Sequence, residues 1–468
     1  MNAQLLVLGA AQTVTGSKYW LSVGPKHYLI DCGLFQGPRE LEQLNWDRLP
    51  IDPAQLSGVV LTHAHIDHSG YLPRLVKSGF AGPVYASEAT CALLKLFLPD
   101  SGYLQEEQAG YANKRGYSQH KPALSLYTYE DALQSLKLLH PVKLEQSFVI
   151  DEQLVVTMHP AGHILGSAIL ECDVSIGTRS VKLVFSGDLG RYDQEIMKPP
   201  DSVADADYLL VESTYGDREH SPKPLEDQLA AVVVAAAERG GALLIPSFAV
   251  GRTQQVLYYL RKLQDQERIP DLPVYIDSPM AIDATDVYCR FGDDHNLNIN
   301  LLMDKEQCPL RCRQTHFTRT THESKMLNDA PGPIIIVSAS GMCEGGRIVH
   351  HLKHRLPDPE NTVLFVGYQA QGSRGRALRD GADQIRIHGQ PVPVRARIEA
   401  IDGLSAHGDY REILRWLSGF ERAPKETLIV HGEPEASLSL KTKIEQQLHW
   451  STQVPEYLNS VTLEVGSP

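Results

Sequence analysis

The segment His63-Ala-His65-Ile-Asp67-His68 sets three imidazoles and a carboxylate within six consecutive residues, directly after the apolar run Gly58-Val-Val-Leu-Thr62. Imidazole nitrogen suits zinc, and carboxylates mixed with imidazoles suit a borderline divalent metal that polarises water. Six consecutive positions surround two ions only on a tight loop, which Ser69-Gly70 and a strand end permit. Four ligands do not complete two sites, so others must arrive from elsewhere. His163, in Gly162-His163-Ile-Leu-Gly-Ser167, follows a predicted strand ending near Met158, and Asp188, in Ser186-Gly187-Asp188, follows one ending at Phe185. Both sit on loops at strand ends, where functional groups collect. Asp31 ends a predicted strand over 27–30 and is placed to orient a ligand imidazole from behind.

The elements that must position these groups read as short strands over the first 210 residues, with helices expected near 89–98 and 129–139. From about Leu225 the rhythm becomes strand, glycine-bearing loop, helix: 242–245 then 253–262, 334–337 then 347–356, 363–366 then a helix near Arg376. Such alternation predicts βαβ units on a parallel sheet. A strand pair over 394–398 and 428–430, around a helix over 410–418, fits the first region better. The expected organisation is therefore a first domain over 1–212 and 386–468, interrupted by an insertion over 213–385.

The chain has 468 residues, 44 Lys and Arg against 57 Asp and Glu, and a net charge of −13. This composition excludes disordered and fibrous classes and argues against coating nucleic acid by bulk charge. A local basic cleft stays open, since residues 340–400 hold nine Lys and Arg against six Asp and Glu. The seven scattered cysteines do not form a disulfide framework and fit buried free thiols in a reducing compartment. No run approaches the roughly 18 apolar residues of a membrane helix, and no basic stretch precedes Leu5 to Leu8, so a cytoplasmic location and no membrane partner are expected. Two further patterns are discounted. Cys308-x3-Cys312-x3-His316-x5-His322 mimics zinc spacing but lacks a hairpin signal, and His350, His351 and His354 are read as a solvated or packed helix face.

The ordered set Asp31, His63-x-His65-x-Asp67-His68, His163, Asp188 resembles the metallo-β-lactamase superfamily, an αββα sandwich holding two metals at its sheet edge. Val211-Glu212-Ser-Thr-Tyr-Gly216, Ser405-Ala-His407-Gly-Asp-Tyr410 and Val430-His431-Gly-Glu433 are similar to the later motifs of the β-CASP nucleases, the family of the pre-mRNA 3′-end cleavage endonuclease. The resemblance spans nearly the whole chain and implies an α/β β-CASP domain, built on a parallel sheet, inserted into the sandwich. It implies that His63, His65 and His163 hold one metal, Asp67, His68 and His431 the other, with Asp188 bridging. Two Zn2+ are expected, with Mn2+ as the alternative. The catalytic set is Asp67, Glu212, His407 and Asp31, with His407 as general acid oriented by Glu212.

Three strand-loop-helix segments resemble the family's phosphate-contacting loops: Pro246 to Arg252, Ser338 to Arg347 and Gly367 to Arg376. Backbone N–H groups at such helix starts favour phosphate. The expected contacts are Ser247, Arg252, Ser340, Gly341, Gly346, Arg347 and Ser373, which position a strand without reading its sequence. The resemblance implies a metal-dependent ribonuclease cutting single-stranded RNA, and His431 sets the chain apart from DNA-directed relatives that usually carry an apolar residue there. Endonucleolytic cleavage is expected, with 5′-3′ exonucleolytic action as the alternative. A small-molecule thioester or lactam hydrolase, an inactive RNA-binding subunit and a homodimer also stay open.

Overall fold

The computed structural model describes residues 3–116, 121–221, 223–304, 306–367, 369, 371–401 and 403–464, excluding the side chain of Arg115. Tyr368 and Ala370, within the third loop named above, lie outside them. The chain divides into two compact units, 1–219 with 407–468, and 220–406.

The first unit holds two seven-stranded sheets. One runs Ser460–Leu463, Ala3–Val7, Tyr19–Val23, Lys26–Ile30, Gly58–Val60, Val84–Ser87, Leu139–Val142. The other runs Thr452–Gln453, Glu426–Val430, Tyr208–Glu212, Arg179–Phe185, Ala168–Ile176, Leu154–Pro160, Ser147–Asp151. The alternation of side chains explains the layers. Leu210, Leu428 and Val430 join Val7, Ile30 and Val60 between the sheets. Leu209, Val211 and Ile429 face the opposite way, onto Ile413, Trp416 and Leu417 of the helix Tyr410–Leu417 and Leu440 and Ile444 of the helix Pro434–Leu448. Strands buried on both faces must be apolar throughout, which is why Leu209 to Val211 and Leu428 to Val430 show no polar alternation. The helix Tyr410–Leu417 starts at a reciprocal cap in which Asp409 accepts from the amides of Arg411 and Glu412, and Glu412 accepts from that of Asp409.

The second unit is a six-stranded parallel sheet in the order Thr315–Phe317, Val274–Asp277, Ile334–Ser338, Ala242–Pro246, Thr362–Phe365, Arg397–Ala400. Leu243, Ile245, Ile335 and Val337 face one core, and Ala242, Leu244, Ile334 and Ile336 the other.

The structure moves the insertion boundaries. Ser213–Glu219 stay with the first unit, where Ser213 Oγ donates to Val430 O (2.9 Å) and meets Ser437 Oγ (2.8 Å). Residues 386–406 belong to the second, because Arg397–Ala400 pairs in register with Thr362–Phe365 as an edge strand. The helix expected over 89–98 runs on as Glu88–Arg115, through Pro99. All seven cysteines are free, and six are buried. No helix among the described residues is long and apolar enough to cross a membrane.

A buried lysine is among the residues that depart from the apolar rule. Lys18 is buried, donating from Nζ to Gly33 O (2.5 Å) with its ammonium 4.2 Å from the Phe35 ring and 4.9 Å from the Tyr71 ring. Burial lowers its pKa to about 7, against an opposing pull from Cys32. The unfolded chain binds this proton up to about pH 10.4, so folding releases it between the two values and stability rises with pH across that window. The stability of the native chain relative to Lys18→Met is therefore expected to increase between pH 7 and pH 10, read from denaturant midpoints. A difference independent of pH would contradict it.

Candidate metal centre

The strand Gly58–Val60 runs parallel to Lys26–Ile30 and delivers the chain to a one-turn helix, Ile66–Ser69. Asp31, at the end of the neighbouring strand, adopts a left-handed backbone (φ 57°). Its carboxylate accepts from Thr62 N (2.7 Å) and Thr62 Oγ1 (2.9 Å) and meets His68 Nδ1 (2.7 Å). That contact fixes the ring of His68 so that Nε2 points to His431 Nε2 (3.0 Å) and Asp188 Oδ1 (3.2 Å).

His163 and Asp188 arrive from the second sheet after tight turns. Gly162 (φ 74°) comes so close to Lys198 that a Cβ would lie 2.4 Å from its carbonyl oxygen, and Gly187 (φ 53°) packs on Thr62. Only glycine allows both the left-handed backbone and the approach. His431 follows the strand Glu426–Val430, and Thr214 Oγ1 reaches its Nδ1 (3.1 Å) and donates to its carbonyl (3.1 Å). Thr214 is a positioning residue that the sequence reading missed, although it lies inside the Glu212 to Gly216 motif.

These side chains form two groups whose donor atoms converge: His63, His65, His163 and Asp188, and Asp67, His68 and His431. Ring nitrogens face ring nitrogens, with His63 Nε2 and His163 Nε2 at 3.1 and 3.2 Å from His65 Nδ1. Asp188 divides its oxygens between the groups. Oδ2 lies 3.5 Å from both His63 Nε2 and His163 Nε2, while Oδ1 lies 3.2 Å from His68 Nε2 and 3.6 Å from His431 Nδ1. Asp188 Oδ1 and His163 Nδ1 are buried without a hydrogen-bond partner. Buried acceptors in such a cage fit divalent cations, which satisfy at once the lone pairs that protons cannot.

The electrostatics of three rings agree, whereas at His68 burial is outweighed by the charges and hydrogen bonds of Asp188 and Asp31, which hold its pKa well above the ordinary imidazole value. Burial first, then the mutual repulsion of the rings, holds His63 and His163 well below the ordinary imidazole value. Burial also lowers His65, to about 4. Neutral rings are the form that ligates metal. Burial opposes ionisation of Asp188, but His431, His68 and His63 outweigh it and hold the carboxyl well below its usual range.

Beside this cage, buried Glu212 accepts from Leu189 N (2.7 Å) and Thr214 N (3.3 Å) and holds His407 Nδ1 at 3.1 Å from both its oxygens. His407 Nε2 points toward the cage, 4.0 Å from Asp188 Oδ2. Burial lowers the His407 pKa, but the charge and hydrogen bond of Glu212, helped by Asp188 and Asp67, raise it overall to about 9.

The expected phosphate contacts lie in the second unit and are distributed differently. Gly251 and Gly346, both with positive φ, open the helices Arg252–Asp265 and Arg347–Arg355 without a side-chain cap. Ser247 is fully buried, Ser340 Oγ accepts from Glu344 N (3.2 Å), the Gly341 carbonyl accepts from Gln369 Nε2 (3.1 Å) and Ser373 caps the helix Arg374–Arg379. Arg252 donates to Val366 O, and Arg347 to Asp277 Oδ1 (2.7 Å), Thr318 O (3.0 Å) and Arg319 O (2.7 Å). Cys308 and Cys312 are buried, whereas His316 stacks on Tyr275; none joins a metal-compatible group among the described residues.

Two sheets with a histidine–carboxylate cage at their strand ends define a metallo-hydrolase of the metallo-β-lactamase class. The metallo-beta-lactamase superfamily model matches residues 19–220, the Beta-Casp domain model residues 253–378, and the model of a Zn-dependent metallo-hydrolase RNA specificity domain residues 391–455. Ribonuclease TTHA0252 of Thermus thermophilus is 36% identical over 438 residues, covering 93% of this chain and 95% of that protein. Transcription termination factor FttA of Methanocaldococcus jannaschii is 29% identical, and that of Methanosarcina mazei 31%, each covering 98% of this chain and 71% of the factor. A crystal structure of a protein of unknown function from Enterococcus faecalis V583 shares the fold at 14% identity, with a TM-score of 0.55 over 99% of this chain and 100% of that one. The chain belongs to the β-CASP family of the metallo-β-lactamase superfamily.

A ligand that binds only the folded state stabilises it by about 2.7 kcal/mol at a hundred times its Kd. Zinc returned to chelator-treated protein is expected to raise the thermal midpoint, and Asp188→Ala and His163→Ala to shrink that rise. Equal rises in all three proteins would place the metal elsewhere.

Proposed function

We propose that this protein is a metal-dependent ribonuclease that cuts single-stranded RNA internally. The observation that carries the reading is the His407–Glu212 pair aimed at the cage: a held imidazolium beside a metal centre serves a leaving group that needs a proton. Similarity to a protein named a ribonuclease along 95% of its length, and the match to an RNA specificity domain, favour RNA. His63, His65 and His163 would hold one Zn2+, Asp67, His68 and His431 the other, with Asp188 shared; Mn2+ is the alternative ion. Such a pair, when bound, lowers the pKa of an attacking water and offsets the charge gathering on the phosphate.

The chain's own groups supply the rest. Asp31 keeps His68 in one tautomer, and Thr214 steers His431. Glu212 holds the proton on His407 Nδ1, so Nε2 presents its proton to the departing O3′, leaving a 3′-hydroxyl and a 5′-phosphate. Ser247, Arg252, Ser340, Gly341, Gly346, Arg347 and Ser373 are assigned to the RNA backbone. The helix starts at Gly251 and Gly346, which carry no side-chain cap, support this, because helix N-termini suit phosphate.

The test is incubation of metal-loaded protein and His407→Ala with 5′-labelled single-stranded RNA and matched DNA. Internal RNA cuts, slowed about 10²- to 10⁴-fold in the variant, are expected; release of mononucleotides alone would replace endonuclease with exonuclease, and turnover of thioesters or lactams alone would sink the reading. Because His407 acts in its protonated form, the rate should fall as pH rises through about 9, and Glu212→Gln should move that limb to lower pH. An unmoved limb would show that Glu212 does not set the proton on His407.

A further inference from the structure

The helix Arg347–Arg355 buries Ile348, His351 and Leu352 and turns His350 and His354 outward. Arg347, His350 and His354 follow spacings of three and four residues, so they form one stripe along the helix. The stripe starts at the uncapped Gly346 and extends about 10 Å.

A second element meets it. The hairpin of Gln384–Ile387 and Gln390–Pro393 buries Ile385 and Ile387 and leaves Arg386 exposed, and at its turn His388 (φ 49°) brings its ring within 4.9 Å of that of His350. Arg374 Nε donates to the carbonyl of Arg386 (3.0 Å) and ties the hairpin to the neighbouring helix. Burial first, then His388, His351, His354 and Lys353, lowers the His350 pKa; burial, then Lys353 and Arg374, lowers that of His388. Every one of these neighbours repels a proton from the rings. Glu344 pairs with Arg374 (3.3 Å). A protein of net charge −13 thus gathers Lys353, Arg374, Arg386 and three imidazoles on one face.

We infer that His350, Lys353, His354, Arg386 and His388 form an accessory site for the backbone of single-stranded RNA, gripping nucleotides beyond those at the Gly346–Arg347 loop. The inference rests on the ribonuclease reading for its ligand, and the chemistry of these side chains fits it. Phosphates need cations, flat imidazoles at 4.9 Å offer faces for unstacked bases, and the stripe continues from a helix start suited to phosphate.

The test uses the full, metal-loaded chain in a His407→Ala background, so that RNA persists, with oligouridylates of 6 and 20 nucleotides. Lys353→Gln/Arg386→Gln should weaken the 20-mer about tenfold at 0.1 M salt and lower its salt slope by about 1.4, roughly 0.7 per lost contact. The 6-mer should be unaffected, and Lys353→Arg/Arg386→Lys should bind as the parent does. In the native background, cleavage of the 6-mer should be unchanged by the Gln pair. Equal losses on both lengths, or none, would overturn the site. A loss of polyglutamate binding with RNA binding intact would also overturn it, since the face would then serve an acidic polypeptide. Binding of the 20-mer through these residues without any RNA cleavage would uphold the site and defeat the ribonuclease reading instead.

Discussion

Five imidazoles, from His63, His68, His163, His407 and His431, stand within 4.0 Å of the buried carboxylate of Asp188. Removing that carboxylate from water is expensive, and the rings cannot all carry the protons that would offset it, because burial and the neighbouring rings hold His63 and His163 well below the ordinary imidazole value. Divalent cations would relieve both strains, held by the neutral rings and the carboxylate. The rest of the first unit holds these side chains together. Asp31 and Thr62 brace His68, Thr214 braces His431, and glycines at 162 and 187 let two loops reach the cage at backbone contact distance.

The arrangement also depends on pairing between remote parts of the chain. Tyr208–Glu212 lies in parallel register with Glu426–Val430, and Glu212 is opposite Val430. That register sets His431 one residue past the strand end, next to the loop that carries Thr214. A slip by one residue would exchange the faces of Leu428 and Ile429, exposing each to the wrong core. Hydrophobic burial on two faces thus fixes the position of His431, about 220 residues away in sequence.

The cage was legible in part because its first four residues are local and follow an apolar run, and because His163 and Asp188 each follow a predicted strand, whereas Glu212, His407 and His431 were read from the resemblance to the family's later motifs. Thr214 was not, since a threonine beside a motif carries no signal of its own; only the register of two strands brings it to His431. The far boundary of the insertion was misplaced because Arg397–Ala400 is a half-exposed edge strand, whose polar pattern reads like the antiparallel sheets of the first unit. Lys18 escaped notice since a lone lysine is ordinarily a surface residue. The length of Glu88–Arg115 was hidden by Pro99, which usually ends a helix. The stripe of His350 and His354 was visible as a helix face, but its meeting with His388 depends on a hairpin in the fold.

The central claim, that Asp188 bridges two metal ions held by His63, His65 and His163 and by Asp67, His68 and His431, is tested most directly by anomalous diffraction at the zinc edge from zinc-loaded crystals. The account predicts two peaks about 3.5–4 Å apart, one on each side of the Asp188 carboxylate. A single peak in the cage, or zinc bound only outside it, would contradict the account.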